Sequence, residues 1–262
     1  MSIIVVGAGL AGLISGITCL KQGKNVVILE KMARFGGNSI KASSGINLIN
    51  SSTDDINIFL GDTLRSSQRL QNSEFDPELI QLLASYSPQV ESLLTEIGVE
   101  LDQVTQCGGH RVARTHTNKS QAGIGYYLAK KALDYFISLN GTIKYSSEVI
   151  RLLYENKSVV GVETQDGIIY NGSVLLATGG YERSDEYLQK YNPSVVGKAT
   201  TSGLHCTGDG LKLATEIGAE LVGMNHIQVH PTGIVDPNDP DNLTKFLAPE
   251  ALRGVGGKLY DL

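Results

Sequence analysis

Three stretches of the 262-residue sequence predict an α/β fold on a parallel sheet. Residues 1–30 read as strand, glycine turn, helix and second strand. Residues 126–139 supply a further helix directly before an extended run. Residues 173–177 return as an apolar strand that runs into Thr178-Gly179-Gly180. Strands alternating with helices specify a parallel, helix-covered sheet.

The first stretch carries most of the weight. Ile3, Ile4, Val5 and Val6 form a β-branched run suited to a strand buried on both faces. Gly7-Ala8-Gly9-Leu10-Ala11-Gly12 follows with the glycine spacing of a dinucleotide-binding turn. Gly7 permits the tight turn, Gly9 lets backbone reach a pyrophosphate, and Gly12 lets the helix pack close to the strand. Leu10, Leu13, Ile14, Ile17 and Leu20 recur at helical spacing, and Gly23 is a natural stop. The second strand, residues 25–29, ends in Glu30, whose carboxylate can accept ribose hydroxyls. It lies about 20 positions on, where the dinucleotide pattern requires an acid. The helix N-terminus presents N–H groups to the phosphates.

Composition narrows the class. Hydrophobic residues make up 41% of the chain, enough for a sizeable core in one large domain or two smaller ones. Net charge is −5 with no basic stripe, which argues against a nucleic-acid partner. No apolar run is long enough to span a bilayer. Cys19, Cys107 and Cys206 are far apart and odd in number, with no CxxC, so reduced thiols are expected rather than a disulfide or zinc framework, and no metal site. The strand begins at the N-terminus with no leader, so the expected compartment is the cytoplasm, or the mitochondrion if the N-terminus is incomplete.

After Glu30, residues 31–50 lack a hydrophobic period. Gly36-Gly37-Asn38-Ser39 and Ser43-Ser44-Gly45 suit a backbone wrapped around a ligand. Residues 54–71 and 76–97 predict two amphipathic helices, the second striped by Leu79, Ile80, Leu82, Leu83, Val90, Leu93, Leu94 and Ile97. Residues 107–125 are rich in Gly, Arg and His and read equally as a solvated loop or a ligand contact. Segments 142–145, 148–154, 158–164 and 167–170 alternate as short strands with tight turns, a small β-meander. Cys206-Thr207-Gly208-Asp209-Gly210 opens a helix over 211–217. Asp209 either caps that helix or hydrogen-bonds a cofactor hydroxyl.

The segments GAGLAG, VVILEK, FGGNSIKASSGIN, GGHRVARTH, LLATGGYE, TGDG, IQVHPTG and LAPEALRGVGGKL occur in an order that resembles the soluble, yeast-type fumarate reductases. These belong to the wider succinate dehydrogenase/fumarate reductase flavoprotein family, and the likeness runs through essentially the whole chain. It implies FAD, contacted by Gly7, Ala8, Gly9, Leu10, Ala11 and Gly12, by Glu30 and Lys31, and by Asn38, Ser39, Ser43, Ser44 and Gly45. Val149, Thr178, Gly179 and Asp209 complete the implied set. Membrane-bound relatives attach FAD through a histidine in the loop matching 36–46; Asn38 stands there, so a non-covalent flavin is expected. The resemblance also implies a small dicarboxylate substrate, fumarate giving succinate, and a reduced flavin or other electron donor. Its substrate residues map to His230, Glu250 and Arg253, the last two matching a proton relay at i and i+3. On the residues alone, His230 reads equally as a packed histidine and the Glu250/Arg253 pair as a surface ion pair.

The sequence departs from the family in placing Pro249 where a threonine usually precedes the relay glutamate, and in stopping at Leu262. The expected organisation is a Rossmann-type FAD-binding domain with an inserted β-meander over 1–224, without its closing segment, plus the start of a substrate-capping domain over 225–262. The expected function is fumarate reduction in an incomplete or inactive form. The alternatives are another oxidoreductase of the family, of ketosteroid, urocanate or L-aspartate type, or a non-catalytic FAD-binding remnant.

Overall fold

The computed structural model describes residues 2–49, 52–67, 76–119, 123–230, 233–248 and 256. The chain folds as two units. One comprises residues 1–41, 126–229 and 235–246, and the other residues 42–125, 230–234 and 247–262.

The first unit is built on strands β1 (Ser2–Val6) and β2 (Asn25–Leu29), joined by helix α1 (Leu10–Lys21). α1 begins immediately beyond the Gly7–Gly9 turn and ends before Gly23, whose φ of 73° is left-handed. In the second unit, β3 (Ile46–Asn47) precedes helices α2 (Ile56–Ser67), α3 (Pro77–Ser85) and α4 (Ser87–Glu96). Strands β4 (Gln103–Thr105) and β5 (Thr115–Thr117) follow, and β5 pairs antiparallel with both β3 and β4. The chain re-enters the first unit through α5 (Ile124–Ser138) and β6 (Thr142–Lys144). Then come β7 (Val149–Glu155), β8 (Ser158–Thr164), β9 (Ile169–Asn171) and β10 (Ser173–Leu176), and finally helices α6 (Asp185–Tyr191) and α7 (Asp209–Thr215).

The main sheet has the order β10-β1-β2-β6, parallel throughout. Because side chains alternate across a strand, its faces bury different partners. Ile4, Val6 and Leu29 meet Val149, Leu152 and Val162 of the β7-β8-β9 meander, together with Leu213 of α7. On the other face, α1 and α5 approach so closely that a Cβ on Gly16 would lie 2.7 Å from the Phe136 ring and 3.3 Å from Ile28. Each fully buried aliphatic or aromatic side chain contributes about 1.5–3 kcal/mol here.

Register positions the functional end. Val6 lies opposite Leu29 on one side and Leu176 on the other. Gly7 N–H then donates to the Leu29 carbonyl, and Ala177 N–H to that of Val6, both at 2.8 Å. The carboxyl ends of three parallel strands therefore open at one edge, where ligands bind in sheets of this kind.

The structure departs from the sequence expectations at several elements. Residues 76–97 form two helices broken at Tyr86, because Pro88 has no N–H to continue the ladder. Much of the expected stripe is exposed, with Leu79 at 63% and Leu83 at 58%, while Leu94 and Ile97 are buried. The strand expected at 142–145 pairs with β2 in the parallel sheet, not in the meander, since helix α5 returns it parallel. β10 is half-exposed at the sheet edge rather than buried. Helix α6, capped by Ser184 Oγ accepting from Tyr187 N–H, has no counterpart among the sequence expectations, nor does the β3-β5-β4 sheet. Of the helix expected over 54–71, residues beyond 67 lie outside the described ones.

Candidate functional site

A cleft of about 610 Å3 opens at the carboxyl ends of β1, β2 and β10, all within the first unit. Gly7, Gly9 and Ala11 form its floor, and Glu30 with Lys31 one wall. Asn38 and Ser39 line it from the loop after β2, Thr178 and Gly179 from the segment after β10, and Val149 with Leu213 adds apolar surface.

The turn itself is shaped as its glycines require. Gly7 has φ 107°, and a side chain on it would collide with the Ala177 carbonyl. Gly12 is buried away from the cleft, and a Cβ there would strike the Gly7 carbonyl, so its role is packing. Gly9 caps α1 without a side-chain acceptor. Leu10 N–H donates instead to Ser39 Oγ at 3.1 Å. The remaining first-turn amides carry the partial positive charge that favours a pyrophosphate.

Glu30 is only 7% exposed and faces the turn. Its carboxylate accepts Ala8 N–H and Met32 N–H, each at 2.8 Å. It thus fixes the turn's shape and retains lone pairs for a ribose hydroxyl. Lys31 Nζ reaches Asp209 Oδ2 at 2.5 Å and Thr207 Oγ1 at 2.9 Å, while Thr207 donates to Asp209 Oδ1. Asp209 does not cap α7, whose N-cap is Gly208; its carboxylate is turned to the cleft wall.

Asn38 works as a staple between loops. Its Nδ2 donates to Cys206 Sγ at 3.0 Å and its Oδ1 accepts Gly203 N–H at 2.9 Å. Lys41 Nζ adds a bond to the Thr201 carbonyl. Burial pushes the Cys206 thiol pKa up, so it stays protonated and unreactive.

His205, between the stapled residues, belongs to none of the sequence motifs. Its ring lines the cleft, and its Nε2 is buried without a hydrogen-bond partner among the described residues. An unpaired buried polar atom costs about 1–3 kcal/mol. Burial, with the Lys41 charge beside it, pulls its pKa below the ordinary 6.5 and keeps the ring neutral. The one signal available in the sequence is a histidine three residues before a cleft-lining Gly-Asp pair.

The remaining implied residues divide by location. Gly7, Gly9, Ala11, Glu30, Lys31, Asn38, Ser39, Val149, Thr178, Gly179 and Asp209 are brought together around the cleft. Ala8 and Leu10 contribute backbone to the turn but do not line it. Ser43, Ser44 and Gly45 belong to the second unit, as does half-buried His230. Glu250 and Arg253 lie outside the described residues.

The second unit resolves part of the 107–125 stretch. Arg114 is fully buried, pairing with Asp54 through Nε at 2.8 Å and Nη2 at 2.9 Å, and with Asp62 at 3.0 Å. Its guanidinium stacks 4.7 Å from the Phe59 ring centroid. Arg111 Nε donates to Asp62 Oδ1 at 2.6 Å. Burial alone would raise the Asp62 pKa, but bonds from Arg111 and the Arg114 charge hold it below the ordinary carboxylate value. Buried Arg114 and exposed Arg111 together fasten α2 to the loop before β5.

A parallel sheet with a glycine turn, a terminal acid and an open cleft at its strand ends defines a Rossmann-type dinucleotide-binding protein. The chain belongs to the FAD binding domain family, whose pattern matches residues 2–261, and FAD is its cofactor. It is 40% identical to a fumarate reductase of Schizosaccharomyces pombe over 98% of its length, covering 54% of that protein. It is 38% identical to fumarate reductase 1 of Saccharomyces cerevisiae, covering 99% of this chain and 58% of the yeast one. It thus spans little more than half the length of these relatives. Among solved structures, the open conformation of a flavocytochrome c3 fumarate reductase superposes with a TM-score of 0.85 at 30% identity, over 97% of this chain and 46% of that one.

The residues present fit the cofactor. The cleft combines apolar surface at Val149 and Leu213, suited to a base, with a glycine turn suited to a pyrophosphate. A Cβ on Gly179 would meet no protein atom within 4 Å, leaving room beside the backbone. The orphaned His205 Nε2 awaits a polar partner of the kind a flavin nucleotide carries. Among the described residues no cluster of metal ligands occurs, and no helix is long and apolar enough to cross a membrane.

Proposed function

We propose that this chain serves FAD-dependent reduction of fumarate to succinate, with the flavin held non-covalently. The observation that carries the reading is the cleft at the ends of β1, β2 and β10, lined by eleven of the seventeen residues that the fumarate reductase resemblance assigns to FAD. Likeness to the two yeast proteins named fumarate reductase supports the substrate.

When bound, reduced FAD supplies a hydride to one alkene carbon. The chain's residues then have two tasks. The substrate is a dianion, so a ring N–H of His230 and the guanidinium of Arg253 would donate to its carboxylates, charge-assisted bonds roughly twice as strong as neutral ones. Holding those carboxylates polarises the double bond and favours the charge that develops as hydride arrives. The second task is proton supply for the other carbon, for which the resemblance gives Glu250 and Arg253 as a relay from solvent. Residues 225–262 would begin the cap that excludes water from this step. The electron donor is a reduced flavin or another donor, and the compartment the cytoplasm or the mitochondrion.

The test uses the 262-residue chain reconstituted with FAD and a reduced dye as donor. Fumarate-dependent dye oxidation is expected, with His230→Ala lowering kcat/KM by about 100-fold or more, in line with loss of a transition-state donor. Turnover of L-aspartate, urocanate or a ketosteroid in place of fumarate overturns the substrate assignment. A chain that holds flavin yet reduces none of them overturns catalysis by this chain.

A further inference from the structure

We infer that His205 is a positioning residue for the bound FAD, its Nε2 hydrogen-bonding a polar atom on the flavin-proximal half of the cofactor. The inference rests on the FAD reading above and adds a contact that the motif resemblance does not assign.

The imidazole is held rigidly before any cofactor arrives. Its Cε1–Nδ1 edge packs on Gly203, where any side chain would collide with the ring. The loop carrying it is fastened to the 36–41 loop on both sides, by Asn38 to Gly203 and to Cys206, and by Lys41 to Thr201. The free nitrogen then faces Gly37, whose absent Cβ would stand 3.8 Å from Nε2. Gly37, Asn38, Cys206 and Gly180 line the same cleft, and the resemblance runs the loop that begins at Asn38 along the pyrophosphate and flavin. Against that loop, what His205 meets is the ribityl chain and the edge of the isoalloxazine. Both present hydroxyls, carbonyls or ring nitrogens, and a neutral imidazole can donate to or accept from any of them.

The polarity of the arrangement distinguishes this from a structural role. A histidine kept for packing would have Nε2 paired within the protein or replaced by carbon. Here the nitrogen is buried and unpaired among the described residues, on a side chain that lines the cleft. It therefore weakens the empty protein and strengthens the loaded one. An apolar ring in its place should reverse both effects.

FAD is titrated into the 262-residue apoprotein and followed by quenching of flavin fluorescence, with melting of the apoprotein measured alongside. His205→Phe is expected to melt at or above the unsubstituted temperature yet to bind FAD about 3- to 10-fold more weakly, the loss of one neutral hydrogen bond. His205→Gln, which restores a donor and an acceptor, is expected to recover affinity to within about 2-fold. Unchanged affinity in His205→Phe overturns the inference, as does parallel loss of affinity and apoprotein melting temperature in both variants. If the unsubstituted chain quenches no FAD, the FAD reading and this inference fall together; quenching equal in all three chains removes only the inference.

Discussion

At the scale of single residues, the cleft is built from side chains that first satisfy the protein and then face a ligand. Glu30 accepts two backbone amides before it can accept a ribose, and Asn38 spends both ends of its amide on residues more than 160 positions away. Glu30 is legible in the sequence because an acid at the end of a second strand has a local signature. Asn38 is legible only as a small polar residue in a loop, since its partners are set by tertiary folding. His205 escapes notice because a lone histidine without periodicity carries no pattern until the loops on either side are brought together. Its environment predicts a pH effect. Burial, the Lys41, Lys31 and Arg34 charges, and against them Glu30, leave its pKa lowered in the folded state. The unfolded chain then binds the proton more readily, so the apoprotein is stable above pH 6.5 and loses part of that stability as pH falls from 6.5 through the folded value. Urea midpoints of the unsubstituted chain and His205→Phe, measured across that window, are expected to diverge on acidification, with the variant losing less. Parallel curves would place the titration elsewhere.

At the scale of elements, close approach decides what the sequence can announce. The β1–α1–β2 unit is readable to its ends because each boundary has a local cause: Gly7 at the turn, Gly23 at the stop, Glu30 after the last apolar residue. The helices at 77–96 are less readable because their apolar spacing is helical on both sides of Pro88, and only the missing amide reveals the break. β6 reads as part of the meander yet joins the main sheet, because a three-residue strand has no feature marking its partner. Where α1 crosses the turn, Gly12 has no room for even a methyl group against the Gly7 carbonyl. Backbone cannot yield there as a flexible side chain would. Gly12→Ala is therefore expected to destabilise the apoprotein by about 1–3 kcal/mol, the usual cost of overpacking. The same shift should widen the turn and weaken FAD binding, so melting temperature and flavin quenching should fall together. A variant that melts normally would mean that α1 can slide on β1 without strain.

At the scale of the whole chain, the cofactor cleft draws on segments far apart in sequence yet confined to one of the two units. Gly7, Gly9 and Ala11, Glu30 and Lys31, the 37–39 loop, Val149, residues 178–180, His205, Cys206 and residues 209–211 all line it, whereas no residue of α2, α3 or α4 does. The second unit is instead tied within itself by the buried Arg114, Asp54 and Asp62 cluster, whose ion pairs lie outside the cleft lining. A ligand that binds only the folded state stabilises it by about 2.7 kcal/mol at a hundredfold excess over Kd, and locally by suppressing the openings that let amides exchange. Hydrogen exchange with and without FAD therefore has a definite expected pattern. Peptides covering residues 5–13, 36–41, 176–182 and 203–211 should slow markedly, because each loses an independent route to opening when the cofactor bridges them. Peptides from α3 and α4 should exchange at the same rate in both states, since their protection comes from contacts FAD does not touch. Slowing confined to α3 and α4, or none at residues 5–13, would put the cofactor somewhere other than the glycine turn.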